Sequence, residues 1–354
     1  MTRIEIAGCG AVSPAGWGLS AFQEALKKSE PIAAKEFIRE GSHRPYRIRQ
    51  VPPPSPRPAF LAHARLRRTS PIAQFAVAAA IEALGADAAK VSAEKNRLGV
   101  IVTVMSACVN YSRRFYDEAL KDPSTASPLV FPETVFNAPA SHLAALLGST
   151  GINYTLVGDP GTFLQGLALA ADWLLSNRVD GCLVVGAEES DWVTAEAFTI
   201  FERKIIMGEG AGALYLRREQ RGSKVFLNSI TEPCLYTRHR SRSLAAKETR
   251  SQLLAHRNGG AAKESLLCDG LQNIPRQDEP ERTAWAEWPA DRVSVKTIFG
   301  EGLMAGAAWQ SVAGADAVAQ GQCRSAIINV VGTNQQAIAA EFVAADSTLP
   351  ATKS

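Results

Sequence analysis

The chain is short of single-sign charge, of histidine and of long apolar runs, and each shortage closes off a class of function. With 38 lysines and arginines against 35 aspartates and glutamates, its net charge of +3 is too small to argue for nucleic acid. Five histidines (His43, His63, His142, His239, His256) and six cysteines (Cys9, Cys108, Cys182, Cys234, Cys268, Cys323) show no CxxC or mixed Cys/His ligand spacing. Neither a zinc site nor a disulfide framework follows, and the cysteines read as reduced core residues. No metal and no cofactor is expected. Gly8-Cys9-Gly10 lacks the third glycine of a dinucleotide loop. The run GEGAGA at 208–213 has no suitable helix after it, so it reads as a strand that permits close backbone packing. No apolar run approaches the roughly 20 residues that span a bilayer. The opening MTRIEIAGCGAVSPAG passes straight into an alternating strand and a glycine-rich turn, not a signal core. A soluble cytoplasmic protein without a membrane span is expected.

What is present is a globular α/β composition, 46% hydrophobic and 21% charged over 354 residues. Buried strands alternate with amphipathic helices, which argues for layered α/β architecture. Strands are expected at 4–12 and 98–104, and helices at 20–28, 71–84 and near 112–120. Between them, residues 36–68 are rich in arginine and in prolines that block regular structure (Pro45, Pro52, Pro53, Pro54, Pro56, Pro58), and read as a surface arm. From 223 onward the pattern shortens. Strands are expected at 225–229, 265–267, 293–298 and 326–331, with a helix at 303–319 and a polar, arginine-bearing stretch at 237–263.

One segment carries most of the functional information. GINYTLVGDPGTFLQGLALAADWLLSNRVDGCLVVGAEES, residues 151–190, reads as strand, tight turn, amphipathic helix and second buried strand ending in small residues and two carboxylates. It resembles the nucleophile segment of the β-ketoacyl synthase family, whose reactive cysteine stands at the N-terminus of that helix. Counting forward from Gly151 and back from Asp180 places the cysteine slot on Pro160. A thiolate there would be activated by the helix terminus and a neighbouring base; a pyrrolidine ring supplies no nucleophile. Local physics reads Asp159 as a side-chain cap and Pro160 as the first helical residue.

The family's two catalytic histidines have counterparts as well. SVKTIFGEGLMAGAA at 294–308 matches the Lys-x-x-x-Gly-His segment, with Lys296 in register and Glu301 in the histidine slot. SLLCDGLQNIPRQDEPE at 265–281 matches the His-Gly-Thr turn more weakly, with Asp269-Gly270 replacing His-Gly. The closing glycine-rich loop is matched by Gly332-Thr333-Asn334 without its Phe-Gly preamble, and the loops that gate the acyl pocket are shortened there and before Gly208. The resemblance implies the thiolase-like fold: two similar α/β halves stacked in five layers (αβαβα), dimerised through an edge strand of the first half. The expected boundaries are 1–222 for the first half and 223–345 for an abbreviated second half, with a disordered tail at 346–354. Segment 134–151 resembles the helix before the nucleophile strand, so Phe136, Leu143, Tyr154 and Leu156 are expected at the dimer interface. His142 reads as a packed or capping residue.

Three readings of function remain open. The first is a non-catalytic subunit similar to chain length factors, which pair with an active ketosynthase and shape its acyl tunnel in fatty acid, polyketide or aryl polyene synthesis. Many of those carry glutamine in the cysteine slot, and this chain does not. The second is a repurposed enzyme acting on acyl thioesters through Asp159, Asp269 and Glu301, since clustered carboxylates raise one another's pKa. Against it stands the plainer pairing of Glu301 with Lys296. The third is a homodimer that binds an acyl chain or acyl carrier protein, with arginines 39, 44, 47, 49, 57, 65, 67, 68, 238, 240, 242 and 250 as a basic docking surface.

Overall fold

The computed structural model describes residues 2–39, 41, 45–92, 97–237, 239–256 and 264–345. Of the residues singled out above, His43, Arg44, Arg238 and the tail at 346–354 lie outside that set.

The first half runs β1 (Ile4–Ser13), α1 (Leu19–Lys28), β2 (Lys35–Ile38), β3 (Pro45–Arg49), α2 (Pro71–Leu84), β4 (Leu98–Val104), α3 (Val109–Lys121) and α4 (Ala138–Leu147). It continues through β5 (Asn153–Val157), α5 (Thr162–Leu175), β6 (Gly181–Glu188), α6 (Trp192–Phe201), β7 (Met207–Gly208) and β8 (Gly210–Arg218). The second half follows with β9 (Val225–Ile230), α7 (Arg242–His256), β10 (Ser265–Asp269), α8 (Pro275–Ala284) and β11 (Arg292–Ser294). Last come α9 (Val295–Phe299), α10 (Leu303–Ala319), β12 (Ser325–Val331) and β13 (Gln336–Ala344).

The strand path β11-β10-β12-β13-β9-β1-β8-β6-β4-β5 exposes an internal repeat. From the centre outward, β1-β8-β6-β4-β5 and β9-β13-β12-β10-β11 follow one plan: two antiparallel pairings, then two parallel ones. The two sheets join where β1 pairs antiparallel with β9. Helices α2 and α4 cover the outer face of the first sheet, α7 lies on the second with α8 packed against it, and α10 touches strands of both sheets, with α5 beside it. These are the two stacked halves in five layers.

Helix α10 is buried on almost every side, which suits a middle layer and its alanine- and glycine-rich sequence. Close approach is a backbone matter here. A Cβ at Gly212 of β8 would sit 2.8 Å from Ala308 Cβ on α10. On the opposite face, Cβ atoms at Gly8 and Gly10 would fall 2.0 Å from the carbonyl oxygens of Ala83 and Ala79 on α2. The glycines around Cys9 therefore serve helix-on-sheet packing.

Several expectations change. Residues 71–91 are long and apolar enough to cross a membrane, with mean hydropathy 1.4 over an 18-residue window. Nine side chains of α2 within that run are nonetheless buried in the protein's own core, which marks a core helix. The arm at 36–68 is not wholly irregular: β2 and β3 pair antiparallel, and β3 adds β7 in parallel to complete a small sheet. Pro45 is tolerated there because it is the first residue of its strand. Residues 242–256 form α7, and 295–299 are helical, so the strand expected at 293–298 shortens to β11.

Candidate functional site

Pro160 lies in the turn between β5 and α5, and α5 begins at Thr162 with Gly161 as N-cap and no side-chain cap. The expected capping by Asp159 is therefore wrong. It is the Asp159 main-chain carbonyl that accepts the Thr162 N–H, at 2.7 Å, while the carboxylate turns away. Its Oδ1 accepts from Thr333 N (2.8 Å), Thr333 Oγ1 (2.8 Å) and Asn334 N (3.2 Å), and its Oδ2 from Gln336 N (3.3 Å). Several donors from one loop outcompete a single helix-terminal N–H for a buried charge. Asp159 thus binds the closing loop of the second half. Thr333 also reaches toward Met105 Sδ, at 4.0 Å, on the loop after β4.

Asp269 and Glu301, the residues expected in the two histidine slots, fall in a separate buried cluster at the end of β10 and the start of α10. Lys296 Nζ donates to Glu301 Oε2 at 2.8 Å with both side chains buried, and Leu303 N donates to Glu301 Oε1 at 2.9 Å. Gln272 Nε2 adds a donor to Glu301 Oε2 at 3.3 Å. Asp269, fully buried, accepts from Ser294 Oγ and from Leu271 N (3.3 Å), and Arg292 stands 3.7 Å from its Oδ2. Between them lies Glu281 of α8. It accepts from Gly270 N at 3.1 Å and from the Asn329 side-chain amide.

Burial, and then the neighbouring Asp269, push the Glu281 carboxyl up to about 8. Burial also raises Asp269, opposed by the Ser294 hydroxyl. This fourth carboxyl escaped the sequence reading because it sits beside a proline inside a polar helix, with no apolar stripe to mark it as buried. The structure brings Asp269 and Glu301 together through Glu281 and Lys296, whereas the carboxylate of Asp159 is engaged with the 333–336 loop.

Three further glutamates anchor loops of the first half. Glu188 accepts from Met105 N, from Ser106 N (3.1 Å) and from Ser106 Oγ (2.7 Å). Glu189 accepts from Ser70 Oγ, Ile72 N and Asn110 N, and Glu209 from Val51 N and Ser190 N. Burial pushes Glu188 and Glu209 up to about 7. The signal was present in the sequence: Glu188 ends, and Glu189 directly follows, an apolar strand that is buried at every position.

At residue 160 the proline ring offers no nucleophilic atom. The carboxylates are each engaged with internal donors, and burial pushes the thiols of Cys9, Cys108, Cys182, Cys268 and Cys323 up, away from thiolate. Among the described residues no group of three or more His, Cys, Asp or Glu could hold a metal ion.

The surface beside the nucleophile turn is different in kind. Strand β5 ends the sheet path, and it leaves Tyr154 47% and Val157 54% exposed. Phe136 is 48% exposed in the turn before α4, with exposed Phe131 nearby in sequence. Leu156 is half-buried against the central core. Leu143 is fully buried in the outer core, so the expectation that it faces a partner is wrong: its position on α4 points into the sheet. His142 is packed, with Nε2 2.9 Å from Glu133.

Of the arginines, Arg49 is buried and donates to Thr297 O at 3.0 Å, which removes it from the basic surface. Arg39 pairs with Glu196 and Arg240 with Glu248. Arg242 donates to Gln277 and Val331, and Arg250 lies over the Trp285 ring. Arg47, Arg57, Arg65, Arg67 and Arg68 are exposed, and no carboxylate lies within ion-pair distance of them among the described residues.

Comparison with known proteins agrees with this anatomy. A crystal structure of a beta-ketoacyl synthase from Burkholderia phymatum STM815 superimposes with TM-score 0.77 at 17% identity, covering 97% of this chain and 100% of that one. The ishigamide ketosynthase/chain length factor gives 0.76 at 18% identity, over 97% and 99%. The AntDE:AntF complex, a type II PKS acyl-carrier protein with its ketosynthase bound to the hexaketide, gives 0.76 at 16% identity, again over 97% and 99%. At such identities the likeness establishes the fold. A search of curated proteins returns no match. The family model for the beta-ketoacyl synthase N-terminal domain matches residues 1–204, more than half of the sequence, and with the thiolase-like architecture this places the chain in the β-ketoacyl synthase family.

Proposed function

We propose that this chain is a cytoplasmic, non-catalytic ketosynthase-like subunit of the chain length factor type. In this reading it pairs with an active β-ketoacyl synthase in fatty acid, polyketide or aryl polyene assembly and shapes the partner's acyl tunnel. What carries the reading is the match of Pro160, Asp269 and Glu301 to the family's reactive positions, in a scaffold that keeps the strand plan of both halves. Pro160 has no nucleophile. Glu301 is neutralised by Lys296, and Asp269 is held by Ser294, Leu271 and Arg292. A fold outlasts its chemistry when another role maintains it.

The free edge of β5 and the apolar side chains around it support pairing, because an open hydrophobic edge left bare is an aggregation hazard. The exposed arginines from 57 to 68 suit a second, acidic partner such as an acyl carrier protein. The solved complex of a carrier protein with its ketosynthase points to the same class of partner. Light scattering on the purified chain, alone and mixed with any intact ketosynthase from its own gene cluster, tests the reading. A one-to-one heterodimer is expected. A chain that stays monomeric at micromolar concentration in both samples overturns it, and a homodimer indifferent to the ketosynthase favours the acyl-binding homodimer instead.

A further inference from the structure

The contact between Asp159 and the loop joining β12 to β13 is built like a binding site. The loop closes on itself through Gly332 N to Gln336 O at 2.9 Å. Tyr236 holds it from outside, its hydroxyl donating to Gly332 O at 2.6 Å and its N–H to Gln335 O at 2.9 Å. With these carbonyls occupied, the N–H groups of Thr333, Asn334 and Gln336 and the Thr333 hydroxyl converge on one point, which the Asp159 carboxylate fills. Space for it exists because residue 332 has no side chain: a Cβ at Gly332 would lie 1.6 Å from Asp159 Oδ2. Backbone donors turned inward around one concavity make an anion cradle, independent of where the anion comes from.

We propose that loop 332–336 is a carboxylate-binding cradle filled by the chain's own Asp159, a tethered ligand that latches the closing loop of the second half onto the nucleophile turn of the first. The two ends of the latch lie 174 residues apart. While Asp159 is seated, the cradle is closed to free carboxylates, and the loop beside the vacated cysteine slot is held shut. This inference stands whether or not a partner subunit pairs with the chain.

The test is chemical rescue. In Asp159→Ala the cradle loses its carboxylate and gains room for a small one, for which formate is the probe. The thermal midpoint of the variant falls below that of the wild type. Formate at about a hundred times its Kd recovers about 2–4 °C of it, while sodium chloride at equal ionic strength recovers none and the wild type responds to neither salt. Hydrogen exchange at Thr333, Asn334 and Gln336 speeds up at least about tenfold in the variant and slows again with formate. A formate effect no larger than that of chloride, or unchanged exchange at those amides, overturns the proposal. If Asp159→Ala does not fold, Asp159→Asn replaces it. The weaker acceptor speeds exchange at the same three amides, formate does nothing because the cradle is still filled, and exchange equal to the wild type overturns the proposal.

Discussion

Buried carboxyl groups set the chemistry of this protein at the scale of single residues. Glu188 and Glu209 are held near 7 and Glu281 near 8, against ordinary glutamate values, with burial the leading cause in each. A raised carboxyl pKa means that the folded state keeps protons the unfolded chain has released. Stability therefore falls as pH rises from about 4.5 through 8. Carboxyls shifted the other way, such as Asp180 at about 2, change their contribution only below pH 4.5 and do not offset this window. The expected outcome is a thermal midpoint lower at pH 8.5 than at pH 5.5 by at least about 5 °C, since each shifted unit is about 1.4 kcal/mol. Glu281→Gln flattens the upper part of that curve, and differential scanning fluorimetry across pH reads both. Pro160→Cys alone yields no condensation of malonyl and acyl thioesters, because Asp269 and Glu301, engaged with internal donors, offer no free hydrogen-bond donor to the developing enolate and oxyanion; a radiolabelled condensation assay checks it. The family resemblance pointed to Pro160, Asp269 and Glu301, and of these the structure brings Asp269 and Glu301 into one buried cluster with Glu281 and Lys296. The partners of Asp159 were not legible, because nothing in a sequence shows that a loop 174 residues away presents four donors to it.

Elements were legible where one periodicity dominated and obscured where polar residues covered a narrow buried stripe. Helix α2 and strand β4 fall at the residues expected because every position in β4 and most in α2 face the core. Helix α7 was hidden: its buried positions Ala245, Ala246, Thr249 and Leu253 lie on one face, under a sequence otherwise full of arginine, lysine and serine. Strands β2 and β3 were masked by the prolines around them, although Tyr46 and Ile48 alternate into a small core of their own. Strand β5 and helix α4 carry the element-scale prediction, since one presents surface and the other core. Tyr154→Glu abolishes pairing with the ketosynthase while shifting the thermal midpoint by less than about 2 °C. Leu143→Ala, by contrast, costs about 2–5 kcal/mol of stability by opening a cavity under α4. Size-exclusion chromatography and chemical denaturation separate the two effects.

At the scale of the whole molecule, two copies of one strand plan meet through β1 and β9 and share α10 as a common middle layer. That plan is kept in both halves, and the proposed reading puts Pro160, Asp269 and the Lys296-paired Glu301 at the positions where the family carries its reactive side chains. In the proposed reading this body shapes and supports a partner's site. The most direct measurement is intact mass spectrometry of both subunits of the co-purified complex after incubation with an acyl thioester. The account predicts one acyl group on the partner ketosynthase and none on this chain. Stoichiometric acylation of this chain, at any residue, would contradict it.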